Sequence, residues 1–341
     1  MEDNKKLEKR QRIKELIRDL RNDPTSTSAR DLDLKGISLA GEDLSGIDLC
    51  GADLSGTDLT GTNLSDSKLF RAKLNKALLL NANLQRAELT GADLTEADLE
   101  GINGTQVGMG MACLKGARLF RANMEGATLS KSNLNGTDLR CTCLRNARLR
   151  EADMTGADLT SADLQAADLS LCNVSGATFT NADMRETRLR AIEGFRKATW
   201  IGVDIRDINF AGAYRMRRFI IDQNYLKEFR ESSRLAGLVY YLWWITSDCG
   251  RSLTRWCAWI LVQLSVFAGL YAFVGVDYGE YPTWLSSFYY SVVTMTTLGY
   301  GDVVPSSTTG QMIAIIEVIT GYIMLGGLLS IFSVKMARRG D

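Results

Sequence analysis

The stretch TMTTLGYGD, from Thr294 to Asp302, gathers three threonines, two glycines, a tyrosine and a carboxylate into nine residues. It holds no nucleophile beside a base. The whole chain has no histidine, which removes serine–histidine and cysteine–histidine pairs and imidazole metal ligands. Seven cysteines, at positions 50, 113, 141, 143, 172, 249 and 257, form no CxxC knuckles and fit no closed disulfide set, so they are expected as reduced structural thiols. No phosphate-cradling loop or catalytic constellation is visible, so an enzyme is not expected, nor is any cofactor. Glu317 is the one other suspect, a carboxylate alone in a long apolar run.

The elements that must position this stretch are readable around it. Cys257 to Val276 is a run of 20 residues without a charge, enough to cross a hydrocarbon core of about 30 Å. A second span is expected over about 311–334, broken only by Glu317. No Lys or Arg occurs between Trp256 and Val334, whereas Arg251 and Arg255 precede the first span and Lys335, Arg338 and Arg339 follow the second. The positive-inside rule then puts both outer ends, and both termini, in the cytoplasm. Between the spans, TWLSSFYYSVVTMT predicts a short helix dipping into the membrane, about 283–296, with TLGYGD returning as extended chain. Non-helical backbone at that depth is tolerated only where it lines a watery path or is buried in protein.

Motif, short helix and flanking spans occur in the order of the two-span potassium-channel pore, which residues 251–339 closely resemble. The resemblance implies that the carbonyls of Thr297, Leu298, Gly299 and Tyr300, with the Thr297 hydroxyl, replace water around a dehydrated K⁺. It implies left-handed backbone at Gly299 and Gly301, and Tyr300 bracing the filter against the pore helix. Asp302 would sit at the outer mouth held by Tyr289, with Thr294 and Glu317 supporting the filter from behind. Gly321 falls at the hinge position, and Leu325, Leu329 and Ser333 follow at helical spacing along the cavity or gate. One chain supplies a quarter of the ring, so a homotetramer is implied. Leu298 departs from the family's usual valine, which alters packing behind the filter but not the carbonyl. Val293 stands where some relatives carry a carboxylate, so an acid-coupled filter at that position is not expected. For Glu317 two roles stay open: a hydrogen bond to a pore-helix group, or a protonation-sensitive part in gating.

The rest of the chain is a repeat. From Leu34 to Leu189 every fifth residue reads in one register: of 32 positions, 25 are Leu, four are Met (Met109, Met124, Met154, Met184), and one each is Val174, Phe179 and Gly104. The residue two places earlier is usually small, as at Ala87, Ala92 and Ala157. A period of five fits neither helix nor strand, and requires a corner every five residues. Four corners close a square coil, and stacked coils pair about 4.8 Å apart. The stretch resembles the pentapeptide-repeat family, which implies a right-handed quadrilateral β-helix over residues 30–213, about nine coils and about 43 Å long. A bulge is expected near Gly104, and the register slips by one after Leu189, with Phe195, Trp200, Ile205 and Phe210 filling the last coils. Residues 30–213 carry 25 acidic and 21 basic side chains, a poor imitation of a DNA duplex, so no nucleic-acid role is expected.

The domain reading is therefore a capping helix in residues 1–29, with Ile13, Leu16, Ile17 and Leu20 on one face, then the β-helix over 30–213. A basic, aromatic interfacial linker follows over 214–255, lying under the bilayer on anionic lipids, with a soluble linker helix packed on the solenoid as the alternative, and then the two-span pore domain over 256–341 with its filter at 297–302. The N-terminal residues are charged and show no signal peptide. The expectation is a K⁺-selective tetramer of a bacterial inner or plasma membrane, with K⁺ as permeant ion and a cytoplasmic repeat domain that scaffolds, gates or binds a cytosolic partner. The alternative is a membrane-anchored scaffold in which conduction is secondary.

Overall fold

A computed structural model describes Glu15, Arg18, residues 34–208, Phe210, 214–279 and 283–337. It divides into two compact units, Met1–Lys227 and Glu228–Asp341. The residues of the expected N-terminal apolar face lie outside the described ones.

The first unit is a coil of four five-residue sides. Parallel bridges join every fifth residue to the one 20 further on, from Ser38↔Asp58 to Asn173↔Glu193. Each coil bonds both neighbours: Leu54 N–H donates to Lys73 O at 2.7 Å, and Asp58 N–H to Ile37 O at 2.9 Å. The phrase ADLxG explains itself on this frame. Leucines such as Leu54, Leu99 and Leu164 are wholly buried, each stabilising by about 1.5–3 kcal/mol through apolar burial. The small residue two places earlier also points inward. Where it is threonine, the hydroxyl donates to a carbonyl one coil away, as Thr57 Oγ1 does to Leu34 O at 2.8 Å. The Asp or Asn before the leucine accepts the amide two residues on, as Asp53 Oδ1 does from Ser55 N at 3.0 Å, fixing the corner. Every fifth residue from Gly36 to Ala191 has φ between 53° and 73°, whether glycine or not. Cys172 fills a small inward position, and burial pushes its thiol up to about 12.

The expected bulge at Gly104 is absent. Asn103 bridges both Asn83 and Asn123 in unbroken register. The thioether of Met124 takes the missing side chain's space: a Cβ at 104 would lie 2.7 Å from Met124 Sδ. The slip after Leu189 is present. A 3-10 turn at Phe195–Lys197 inserts one residue, so that Thr178 bridges Thr199 and Asp183 bridges Asp204. The Trp200 ring, wholly buried, stacks on Phe179 with centroids 4.3 Å apart and planes within 2°.

Over helix α1, Tyr214–Ser232, the structure shows the alternative reading of this segment, a linker helix packed on the repeats. Its Met216 and Ile220 are buried in the repeat core. Its amides imitate the coil that would come next. Gln223 Oε1 accepts from Trp200 N at 2.6 Å, Asn224 Oδ1 accepts from Gly202 N at 2.7 Å, and Asn224 Nδ2 donates to Trp200 O at 2.9 Å. An open end of stacked strands is thereby closed, as a solenoid requires.

In the second unit α2 spans Arg234–Ser247, α3 Leu253–Phe273, α4 Ser286–Met295 and α5 Thr308–Ala337. The short strands β1, Val276–Asp277, and β2, Val304–Pro305, pair antiparallel. Ser233 is extended and caps α2 by accepting Ala236 N at 3.1 Å, which ends α1 and separates the two helices. Helix α3 starts before the uncharged run because Ser252 caps it, and it ends at Val274, where the chain turns into β1. It packs on α5 through Trp256, whose Nε1 donates to Met324 O at 2.8 Å. Among the described residues α3 and Thr308–Val334 of α5 are long and apolar enough to cross a membrane.

Candidate functional site

Helix α4, ten residues long, presents Tyr290, Ser291, Val293 and Met295 to the interior of the second unit. The chain leaves its last turn directly into the Thr297–Asp302 stretch. Thr297 N–H donates to Thr294 O and Leu298 N–H to Val293 O, both at 3.1 Å, so the stretch is tied to α4 where it begins. Thr297, Gly299 and Gly301 take φ of 57°, 51° and 78°. Left-handed backbone thus alternates with ordinary backbone at Leu298 and Tyr300. Glycine makes that free of steric cost at two positions. At Thr297 it is forced on a β-branched residue, a strain of about 1–3 kcal/mol of the kind that persists at functional sites. The sequence reading assigned left-handed angles to the glycines and missed Thr297.

At the far end of the stretch the Tyr289 hydroxyl donates to Asp302 Oδ2 at 2.7 Å. Within the single chain Tyr300 is 67% exposed. Leu298 is exposed as well. Behind α4, the Glu317 carboxylate of α5 meets the hydroxyls of Ser291 and Tyr271, all three wholly buried. Gly321, one turn further on, lies in an unbroken α5, and a Cβ there would come within 2.9 Å of Met295 O. Leu325, Leu329 and Ser333 continue along α5, with Leu329 and Ser333 exposed. The sequence reading did not single out Tyr271 or Ser291. Their signal is a hydroxyl in an otherwise apolar span or pore helix, opposite a lone carboxylate.

The carboxylates of the repeat unit behave as its corners require. The Arg206 guanidinium holds Asp204 down to about 2, and hydrogen bonds from Ser55 lower Asp53. Among the described residues no cluster of His, Cys, Asp and Glu could hold a metal ion.

Comparison with known proteins agrees with this division. The family model described as "Ion channel" matches residues 259–338, and that described as "Pentapeptide repeats" matches eight copies over 30–66, 63–103, 117–156 and 157–191. The human voltage-gated potassium channel regulatory subunit KCNG1 is 31% identical over 80 residues, 23% of this chain and 16% of that protein. The calcium-gated potassium channel TvoK of Thermoplasma volcanium is 34% identical over 70 residues, 19% of this chain and 20% of that protein. The chain therefore spans a fifth or less of these relatives' lengths. The crystal structure of HetL, a pentapeptide-repeat protein of the cyanobacterium Nostoc, is 31% identical, covers 53% of this chain and 88% of its own, with a TM-score of 0.42. With its coil geometry and eight matched copies, this chain is a pentapeptide-repeat protein carrying, in the same membrane protein, an ion-channel domain homologous to those of potassium channels.

Proposed function

We propose that the protein is a tetrameric K⁺-selective channel. The carbonyls of Thr297, Leu298, Gly299 and Tyr300, with the Thr297 hydroxyl, ring the permeant ion in place of water. Gly301 and Asp302 form the outer mouth, with Asp302 held by Tyr289. One observation carries the reading: left-handed backbone alternates at Thr297, Gly299 and Gly301 in a stretch lying between two membrane-length helices. Much of that stretch is exposed in the single chain. Uncovered backbone of this kind is not stable at membrane depth, and three further copies around a shared axis would cover it. Gly321 and the exposed flank of α5 at Leu325, Leu329 and Ser333 would then face the cavity and gate.

On this reading the repeats and both termini lie in the cytoplasm and the pore in a bacterial inner or plasma membrane, an orientation that the basic residues outside both spans support. Helix α2 exposes Leu235, Leu238, Tyr241 and Trp244 beside Arg234, a composition that suits an interface with anionic lipids. The repeat domain would gate the pore or hold a cytosolic protein or ligand. No cofactor, nucleic acid or catalytic role belongs to this reading.

Purified protein reconstituted in liposomes tests it. Flux driven by a K⁺ gradient, excluding Na⁺ and lost in Gly299→Ala, is the expected result. A well-assembled tetramer that passes neither ion would replace the channel by a membrane-anchored scaffold.

A further inference from the structure

Glu317 is the single carboxylate of α5, and two other helices converge on it. From α3 the Tyr271 hydroxyl donates to Oε2 at 2.7 Å, and from α4 the Ser291 hydroxyl reaches Oε1. Ser291 Oγ also lies 3.2 Å from the carbonyl of Leu264 on α3. The Tyr271 ring meets Tyr290 of α4 edge-on, with centroids 4.7 Å apart. A second contact follows one turn along. Met295 of α4 closes on Gly321 of α5, where even a methyl group would meet the Met295 carbonyl. From Ser291 to Met295, and from Glu317 to Gly321, the step is one turn in the same direction, the spacing at which residues share a helix face. The pore helix is therefore docked on α5 at two points, immediately before the chain enters Thr297.

We propose that Glu317 is a positioning residue for ion selection. Its two oxygens fix α4 to α3 and α5, and so hold Thr297 to Tyr300 at the spacing that separates K⁺ from Na⁺. This rests on the channel reading above. The requirement is for hydrogen bonding rather than charge. A glutamine here keeps an oxygen for Tyr271 and offers an N–H to Ser291 Oγ, whose own proton then turns to the Leu264 carbonyl. A leucine leaves the Tyr271 hydroxyl without its partner, in a place water does not reach, and leaves Ser291 only the Leu264 carbonyl, so that α4 loses its tie to α5.

The test uses the full chain with Glu317→Gln, Glu317→Leu and Ser291→Ala. Two quantities are read: the K⁺/Na⁺ permeability ratio in liposomes at acidic and neutral pH, and amide exchange of residues 286–302 in the assembled protein. Glu317→Gln is expected within about threefold of the parent ratio at both pH values. Glu317→Leu and Ser291→Ala are expected to lower the ratio by about tenfold or more, the scale of one unpaired buried group, and to speed exchange in that segment. A Glu317→Gln protein as damaged as Glu317→Leu overturns the proposal, as does a Glu317→Leu protein with parental ratio and exchange. If Glu317→Leu does not assemble, Ser291→Ala decides in the same way. A parent protein without K⁺ flux would remove the channel reading, and unchanged exchange in the variants would separately remove the positioning role.

Discussion

A methyl group added at Gly321 would sit 2.9 Å from the carbonyl oxygen of Met295, closer than carbon and oxygen approach without movement. Two effects compete in Gly321→Ala. Alanine is favoured over glycine inside a helix by about 1 kcal/mol. Forcing a methyl into a packed contact costs about 1–3 kcal/mol, and here the obstacle is backbone, which cannot rotate away. The contact should win, so Gly321→Ala is expected to lower the unfolding temperature of the detergent-solubilised protein and to weaken K⁺ selection. A residue serving only as a hinge would give the opposite, a stiffer and more stable α5. Equal or greater thermal stability would sink the contact reading. The role was half legible in the sequence. The resemblance to the two-span pore marks Gly321 as special, but only the fold brings Met295 against it. Thr297 was hidden for a related reason, since nothing in a threonine announces a left-handed backbone that its neighbours impose.

At the scale of elements, the repeat is the most legible part of the chain, because one local rule is applied at every corner. Leucine and the small residue fill the interior, Asp or Asn fixes the turn, and the residue two places after the leucine turns left-handed. What the rule does not encode are the exceptions. Gly104 looks like an interruption, yet Met124 from the next coil makes it continuous. Helix α1 reads as a basic interfacial segment because its arginines are conspicuous, whereas Gln223 and Asn224 are ordinary until the open coil edge is seen beside them. The corner carboxylates carry a pH signature. Asp204 titrates at about 2 in the fold because Arg206 bonds its ionised form, against 3.8 as its ordinary value. Its pKa is lowered, so its stabilisation is full above about pH 4 and is lost as pH falls towards about 2. Asp204→Asn should therefore be less stable than the parent at neutral pH, and the gap should close on acidification over that window. Acid and thermal melts of the full-length pair, followed by circular dichroism, measure it. A gap constant down to about pH 2 would refute the assignment.

For the molecule as a whole, one chain joins a closed repeat unit to an ion-channel domain, and the covalent route between them is α1, Ser233 and α2. That connection motivates the hypothesis that the repeats act on the pore. Where the chain is cut decides whether the test is clean. Removal of residues 1–213 would strip the core from Met216 and Ile220 and the coil edge from Gln223 and Asn224, leaving α1 with an uncovered apolar face. Such an exposed face invites association that would mimic a gating defect. Removal of residues 1–232 takes the repeat unit together with the helix that closes it, and begins the chain at Ser233, which already caps α2. The Thr297–Asp302 stretch, its Tyr289–Asp302 contact and the Glu317 cluster all lie beyond the cut. The shortened protein is therefore expected to keep the parental K⁺/Na⁺ ratio while its open probability in planar bilayers changes. Loss of selectivity as well would mean that the repeats support the pore's structure. An open probability equal to the parent's, at every voltage and pH tried, would leave the repeats no part in gating and assign them to a cytosolic partner instead.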